Sequence, residues 1–117
     1  MIRRIVLVAV IILCAAAAVP LYAYYSIRYN RPVDIQRELL GRVLAWRSQQ
    51  TDFTWYMSGY GDAVFKWSYR VANPQELRRS CRSIDRGNCI LGGRADNDTS
   101  LSIYVVGDTV RIEEWWY

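Results

Sequence analysis

From Ile5 to Ile27 the chain carries no Asp, Glu, Lys or Arg. An apolar run of that length satisfies the roughly 20 residues that a helix needs to cross a bilayer. It sets the frame for everything after it, because the remaining residues are then either tethered to a membrane or exported through one.

Two readings of the run stay open. Arg3 and Arg4, the apolar stretch from Ile5 to Cys14, the helix-breaking Pro20 and the site Leu21-Tyr22-Ala23 fit a secretory signal that is cleaved. Against cleavage, Ala15 to Val19 prolong the apolar run, and Tyr22, Tyr24, Tyr25 and Tyr29 form the aromatic cluster expected at a membrane–water interface. This second pattern predicts a basic segment at residues 1–4, a transmembrane anchor over 5–27, a linker at 28–33 and a folded domain over 34–117. Leu13 stands where lipoprotein signals have a small residue, so Cys14 is not expected to carry a lipid.

Charge alone does not orient the anchor. Arg3 and Arg4 favour a cytoplasmic start, yet Arg28, Arg31 and Arg37 follow the run, and positive charge tends to stay inside. The cysteines supply the direction. Outside the apolar segment only Cys81 and Cys89 remain, an even number in a small domain, which predicts a disulfide in an oxidising compartment. Closing so short a loop adds about 2.6 kcal/mol in chain-entropy terms. A zinc site would need more ligands than two cysteines and no histidine supply.

The fold class reads as α+β. Asp34 is placed to cap a helix running to about Gln50, with Ile35, Leu39, Val43 and Trp46 on one stripe. Phe53, Trp55 and Met57 alternate with polar neighbours, the glycines of "SGYGDA" make a loop, and Phe65, Trp67, Tyr69 and Val71 alternate again, which predicts a hairpin. "NPQE" at Asn73–Glu76 predicts a second helix that carries Leu77, Cys81 and Ile84 inward, and "GGRADNDTS" a polar loop. A final hairpin turns at Gly107-Asp108, pairing Val105 with Val110 and Ile103 with Ile112. In that register Trp116 faces inward and Trp115 outward. The expected domain is therefore αββαββ, a four-stranded antiparallel sheet with two helices on one face.

Chemistry is scarce. Without histidine, Ser-His-Asp and Cys-His catalysis are gone, and Lys66, the only lysine, sits on an alternating strand pointing to water. Glu113 and Glu114 are strand neighbours and face opposite ways. Asp96 and Asp98 are close enough to cooperate, but "DNDTS" lacks the glycine and distal glutamate of a calcium loop. No cofactor or metal is implied. Setting Arg3 and Arg4 aside lowers the formal charge from +4 to +2, too mild to suggest nucleic acid.

Two surface features point to binding. Arg78, Arg79, Arg82 and Arg86 cluster on and after the second helix, where they would meet lipid headgroups or an acidic protein. Tyr104, Arg111, Trp115 and Tyr117 fall on the sheet face that helices leave bare, and these residue types dominate protein-binding hot spots. The sequence therefore predicts a non-catalytic binding module, anchored in a bacterial inner membrane with its domain in the periplasm, serving as a subunit of an envelope complex or an anchored inhibitor. The alternatives are a small carboxylate-dependent envelope hydrolase using Asp96 and Asp98, and a cleaved, secreted binding protein.

Overall fold

The computed structural model describes all residues, Met1–Tyr117. Helix α1 spans Ile2–Tyr25, passes through five π-helical residues, Ser26–Asn30, and continues as α2, Arg31–Leu40. The combined helix, Ile2–Leu40, is long and apolar enough to cross a membrane, and its apolar part is not covered by the rest of the chain. Residues 28–33, expected as a linker, are helical throughout.

The helix stops ten residues short of the expected Gln50. Gly41 takes the left-handed conformation at φ 72° and donates its N–H to the Arg37 carbonyl, a common way for a helix to end. The chain then turns back around Gln36, a fully buried amide. Its Oε1 accepts the N–H groups of Leu44 and Ala45 at 2.8 and 3.0 Å, and its Nε2 donates to the Pro32 carbonyl at 3.2 Å. Val43, Leu44 and Trp46, read as helical, therefore belong to a loop.

Six strands follow in one antiparallel sheet: β1 Gln50–Met57, β2 Ala63–Arg70, β3 Ser83–Asp85, β4 Asn88–Ala95, β5 Thr99–Val106 and β6 Thr109–Trp116. Their spatial order is β1-β2-β6-β5-β4-β3. The first and last expected hairpins, β1–β2 and β5–β6, are present, and β5–β6 keeps the expected register of Val105 with Val110 and Ile103 with Ile112. The class is α+β, but the four-stranded sheet with two helices on one face is corrected to six strands carrying one long helix.

That correction lies between Asn73 and Ala95. The expected second helix is a single turn, α3 Pro74–Arg78, after which the chain forms the β3–β4 hairpin. Arg86 and Gly87 both take positive φ, 51° and 82°, the requirement of a tight two-residue hairpin turn. Cys81 and Cys89 lie eight residues apart with Cα atoms 5.3 Å from each other, their sulfurs at bonding distance. A helix would hold residues at that separation about 12 Å apart, so the hairpin, by folding back, is what joins them. Much of "GGRADNDTS" is strand β4 rather than loop.

The helix crosses the strands in their spatial order. Tyr24 meets Phe53 of β1, the Ile27 carbonyl accepts Trp67 Nε1 of β2 at 3.1 Å, Arg31 pairs with Glu114 of β6, and Leu39 and Leu40 lie on Gly92 of β4. A Cβ at Gly92 would sit 3.1 Å from Leu40 Cδ2, so that crossing is close. Beneath the helix lie Trp67, Tyr69, Leu101, Ile103, Val105, Val110 and Ile112, all buried, with Ile35. Trp116 shares this face but lies beyond the helix and remains 50% exposed, so its expected burial is corrected.

Glu114 is the one carboxylate in this apolar interface, at 3% exposure. Arg31 Nε donates to both its oxygens at 3.1 Å, and Nη2 pairs with it as well. Removing one partner of a buried pair leaves an uncompensated charge, which typically costs about 3–5 kcal/mol. Because the Arg31 side chain is still one-third in water, we expect Arg31→Ala to destabilise toward the low end of that range. The double change Arg31→Ala with Glu114→Leu should destabilise less than Arg31→Ala alone. Equilibrium unfolding of the detergent-solubilised chain checks this, and a loss in the double variant equal to or larger than in the single would show that the stranded Glu114 charge is not what makes Arg31→Ala costly.

Candidate functional site

The face of the sheet opposite the helix has no cover, and three cross-strand rows lie along it. Tyr56, Val64, Trp115 and Ser100 are in register in one row; Thr54, Lys66, Glu113 and Ser102 form the next; Asp52, Ser68, Arg111 and Tyr104 form the third. Period-two alternation places all of them on the same side.

Val64 anchors the first row. It is 0% exposed although nothing packs over this face as a layer. Its cross-strand neighbours Tyr56 and Trp115 stand on either side, the kind of aromatic with β-branched pairing that stabilises sheets.

Glu113 is the centre of the second row. It accepts the Tyr104 hydroxyl at 2.6 Å on Oε1 and Trp115 Nε1 at 3.3 Å on Oε2, while Lys66 Nζ lies 3.9 Å from Oε1. Lys66 Nζ also sits 5.5 Å from the centre of the Tyr56 ring. Burial, and after it the hydrogen bond to Glu113, push the Tyr104 hydroxyl up to about 12. A shallow depression of about 200 Å³ runs over this network, lined by Asp52, Lys66, Ser68, Tyr104, Arg111 and Glu113 among others. Its side chains carry both signs of charge, and Tyr104, Lys66 and Glu113 among them are linked to one another.

Of the residues singled out in the sequence, Tyr104, Arg111 and Trp115 are together on this face. Tyr117 lies past the end of β6, with its N–H donating to the Asp98 carbonyl at 2.9 Å. Tyr56, Val64 and Lys66 complete the face, and sequence alone could not assign them to it, because that requires knowing that β2 pairs with β6. The four arginines do not share a helix. Arg78 ends the single turn α3 and donates to the Gly107 carbonyl at 2.7 Å, Arg79 and Arg82 are in the connection to β3, and Arg86 occupies the β3–β4 turn.

Asp96 has a local task. Its Oδ1 accepts the N–H groups of Asp98 and Thr99 at 2.8 and 2.7 Å, which closes the β4–β5 turn. Those backbone donors, Thr99 first, hold its carboxyl below the ordinary carboxylate value. A depressed carboxyl stays ionised at neutral pH and is badly suited to act as a general acid. No three Asp, Glu or Cys side chains converge in a way that would hold a metal ion.

The Tyr104 hydroxyl gives a testable sign. Its acidity is weaker in the folded chain, about 12, than in the unfolded one, near 10. Its contribution to stability is therefore complete below about pH 10 and is lost as pH rises from there through about 12. Burial pushes the Tyr69 hydroxyl up as well, so ultraviolet titration of tyrosinate should show late components, of which Tyr104→Phe removes one and Glu113→Gln moves that same one down toward 10. If Tyr104 titrates together with the exposed tyrosines, the network is not formed. No family model, no curated protein and no solved structure matches this chain, so its function has to be argued from this geometry.

Proposed function

We propose that the chain is a non-catalytic binding module, held in a membrane by α1 and presenting its uncovered sheet face to a protein partner. The observation that carries this reading is the face itself. Aromatic side chains, an exposed arginine and a carboxylate fixed by three neighbours lie within three adjacent rows, already ordered before any partner arrives. Pre-ordered side chains lose little freedom on association, and Tyr, Trp and Arg contribute the most binding energy per residue at interfaces. The lack of histidine and the turn-closing role of Asp96 support the absence of catalysis.

The location proposed is a single-pass protein of a bacterial inner membrane with its domain in the periplasm. It rests on the apolar helix and on the Cys81–Cys89 pair, which needs an oxidising compartment to persist. The partner is then a component of an envelope complex, or an enzyme that the module inhibits.

Crosslinking in native membranes followed by co-purification tests the face. Trp115→Ala and Arg111→Ala should each weaken association by about 2 kcal/mol or more, roughly 30-fold, if these are hot spots. The melting transition should move little for the exposed Arg111→Ala and further for Trp115→Ala, which uncovers Val64 and removes a donor to Glu113, so Arg111→Ala is the variant that separates binding from folding. Association unchanged in both variants would remove this face as the binding surface. Topology is checked separately: a reporter fused after Tyr117 should be active only in a form that works outside the cytoplasm, and cytoplasmic activity would overturn the location.

A further inference from the structure

Between the last turn of α1 and the sheet lies a recess of about 270 Å³ lined only by Tyr24, Ile27, Phe53, Trp55 and Phe65. Phe53 forms its floor, with the Tyr24 ring edge-on at 6.0 Å between centroids and the Trp67 ring stacked at 5.7 Å. The wall toward solvent is strand β1, an edge strand with no neighbour on its outer side. On β1, Trp55 and Met57 point to the helix side of the sheet, yet each is 62% exposed. An apolar recess opening beside large bare side chains calls for an apolar occupant.

Its position says what that occupant is. This step rests on the reading of α1 as a membrane anchor. From Ile5 to Tyr25 a helix rises about 31 Å, the thickness of a bilayer's hydrocarbon core, so Tyr24 stands at the boundary between acyl chains and headgroups. Whatever touches Tyr24 shares its depth, however the helix tilts. Phe53 does so directly, and the helix runs unbroken from α1 into α2 with no flexible joint that would let the sheet swing away. Just beyond, Arg28 donates to the Tyr24 hydroxyl at 2.7 Å and lies 5.3 Å from the centre of the Tyr29 ring, while Arg47 pairs with the Tyr25 hydroxyl. Cations at that level meet lipid phosphates.

We propose that the recess seats an acyl chain of a phospholipid from the bilayer crossed by α1, with Arg28 on its phosphate. Strand β1 then rests along the headgroup layer. Its unpaired backbone groups remain hydrated there, which fixes the depth: a deeper position would strand them in hydrocarbon. Trp55 and Tyr56 join Tyr22, Tyr24 and Tyr25 in one aromatic belt, and the membrane becomes the missing neighbour of the sheet's first edge.

The full chain, reconstituted in vesicles of phosphatidylcholine and phosphatidylglycerol, provides the test. A photoreactive benzophenone amino acid is placed singly at Ile11 in mid-helix, at Trp55, at Met57 and at Ile84, which is exposed on β3 at the far edge of the sheet. After illumination, mass spectrometry should find lipid adducts at positions 11, 55 and 57 and their loss at position 84. Lipid adducts at 11 but at neither 55 nor 57 would overturn this inference and leave the anchor standing. No adduct at 11 would remove the anchor and the inference with it. Adducts at 55 or 57 to a second copy of the chain in place of lipid would overturn it by assigning the recess to a protein contact.

Discussion

A carboxylate on the apolar face of a sheet has to be answered, and the way Glu114 is answered organises this molecule. The helix leaves Glu114 only 3% exposed and answers it with its own Arg31. Buried pairs of this kind contribute little net stability against a well-packed apolar alternative, but they penalise every arrangement that separates the two charges. Sliding the helix by one turn would leave Glu114 without its partner. The ion pair therefore sets register between helix and sheet, while Trp67, Ile35 and the β5–β6 valines and isoleucines supply the apolar burial that holds them together.

Fixing that register has a consequence at each end of the helix. Toward its C-terminus, Leu39 and Leu40 come down on Gly92, which has no side chain to keep them off. Toward its N-terminus, Tyr24 and Ile27 come down on Phe53 and Phe65, where large side chains hold the backbone further away and leave the apolar recess. One rigid element thus makes a close contact at β4 and a loose one at β1. The loose one is where the helix leaves the domain.

The parts of the fold that were legible in the sequence are those decided by neighbours along the chain. Strand alternation around Trp67 and the glycine at position 107 determine the β1–β2 and β5–β6 hairpins and the register of the latter. What was not legible depends on competition between distant segments. "NPQE" is a good helix start and does begin a helical turn, but Arg86-Gly87, both at positive φ, make a tight hairpin turn shortly after it, and the sheet edge at β5 is available to receive β4. Gly41 was a readable stop for the preceding helix; Gln36, the residue that secures the return loop, was not, because an isolated glutamine carries no sign that it will be buried.

The candidate face shows the same division. Tyr104, Arg111 and Trp115 were placed on it by the β5–β6 turn alone, since alternation from a fixed turn decides which side each residue takes. Tyr56, Val64 and Lys66 reach it only because β2 lies against β6, a pairing between segments forty residues apart that no local pattern encodes. Trp115 and Trp116 illustrate how far alternation reaches. It assigns them correctly to opposite faces, but burial depends on what covers each face, and the helix that covers Ile112 and Glu114 has already passed when the strand reaches Trp116. The aromatic side chain sent to the inner face is thus the half-exposed one, while Trp115, on the face with no covering layer, is sheltered within its cross-strand row. Exposure in this domain follows the path of the helix more than the face of the sheet.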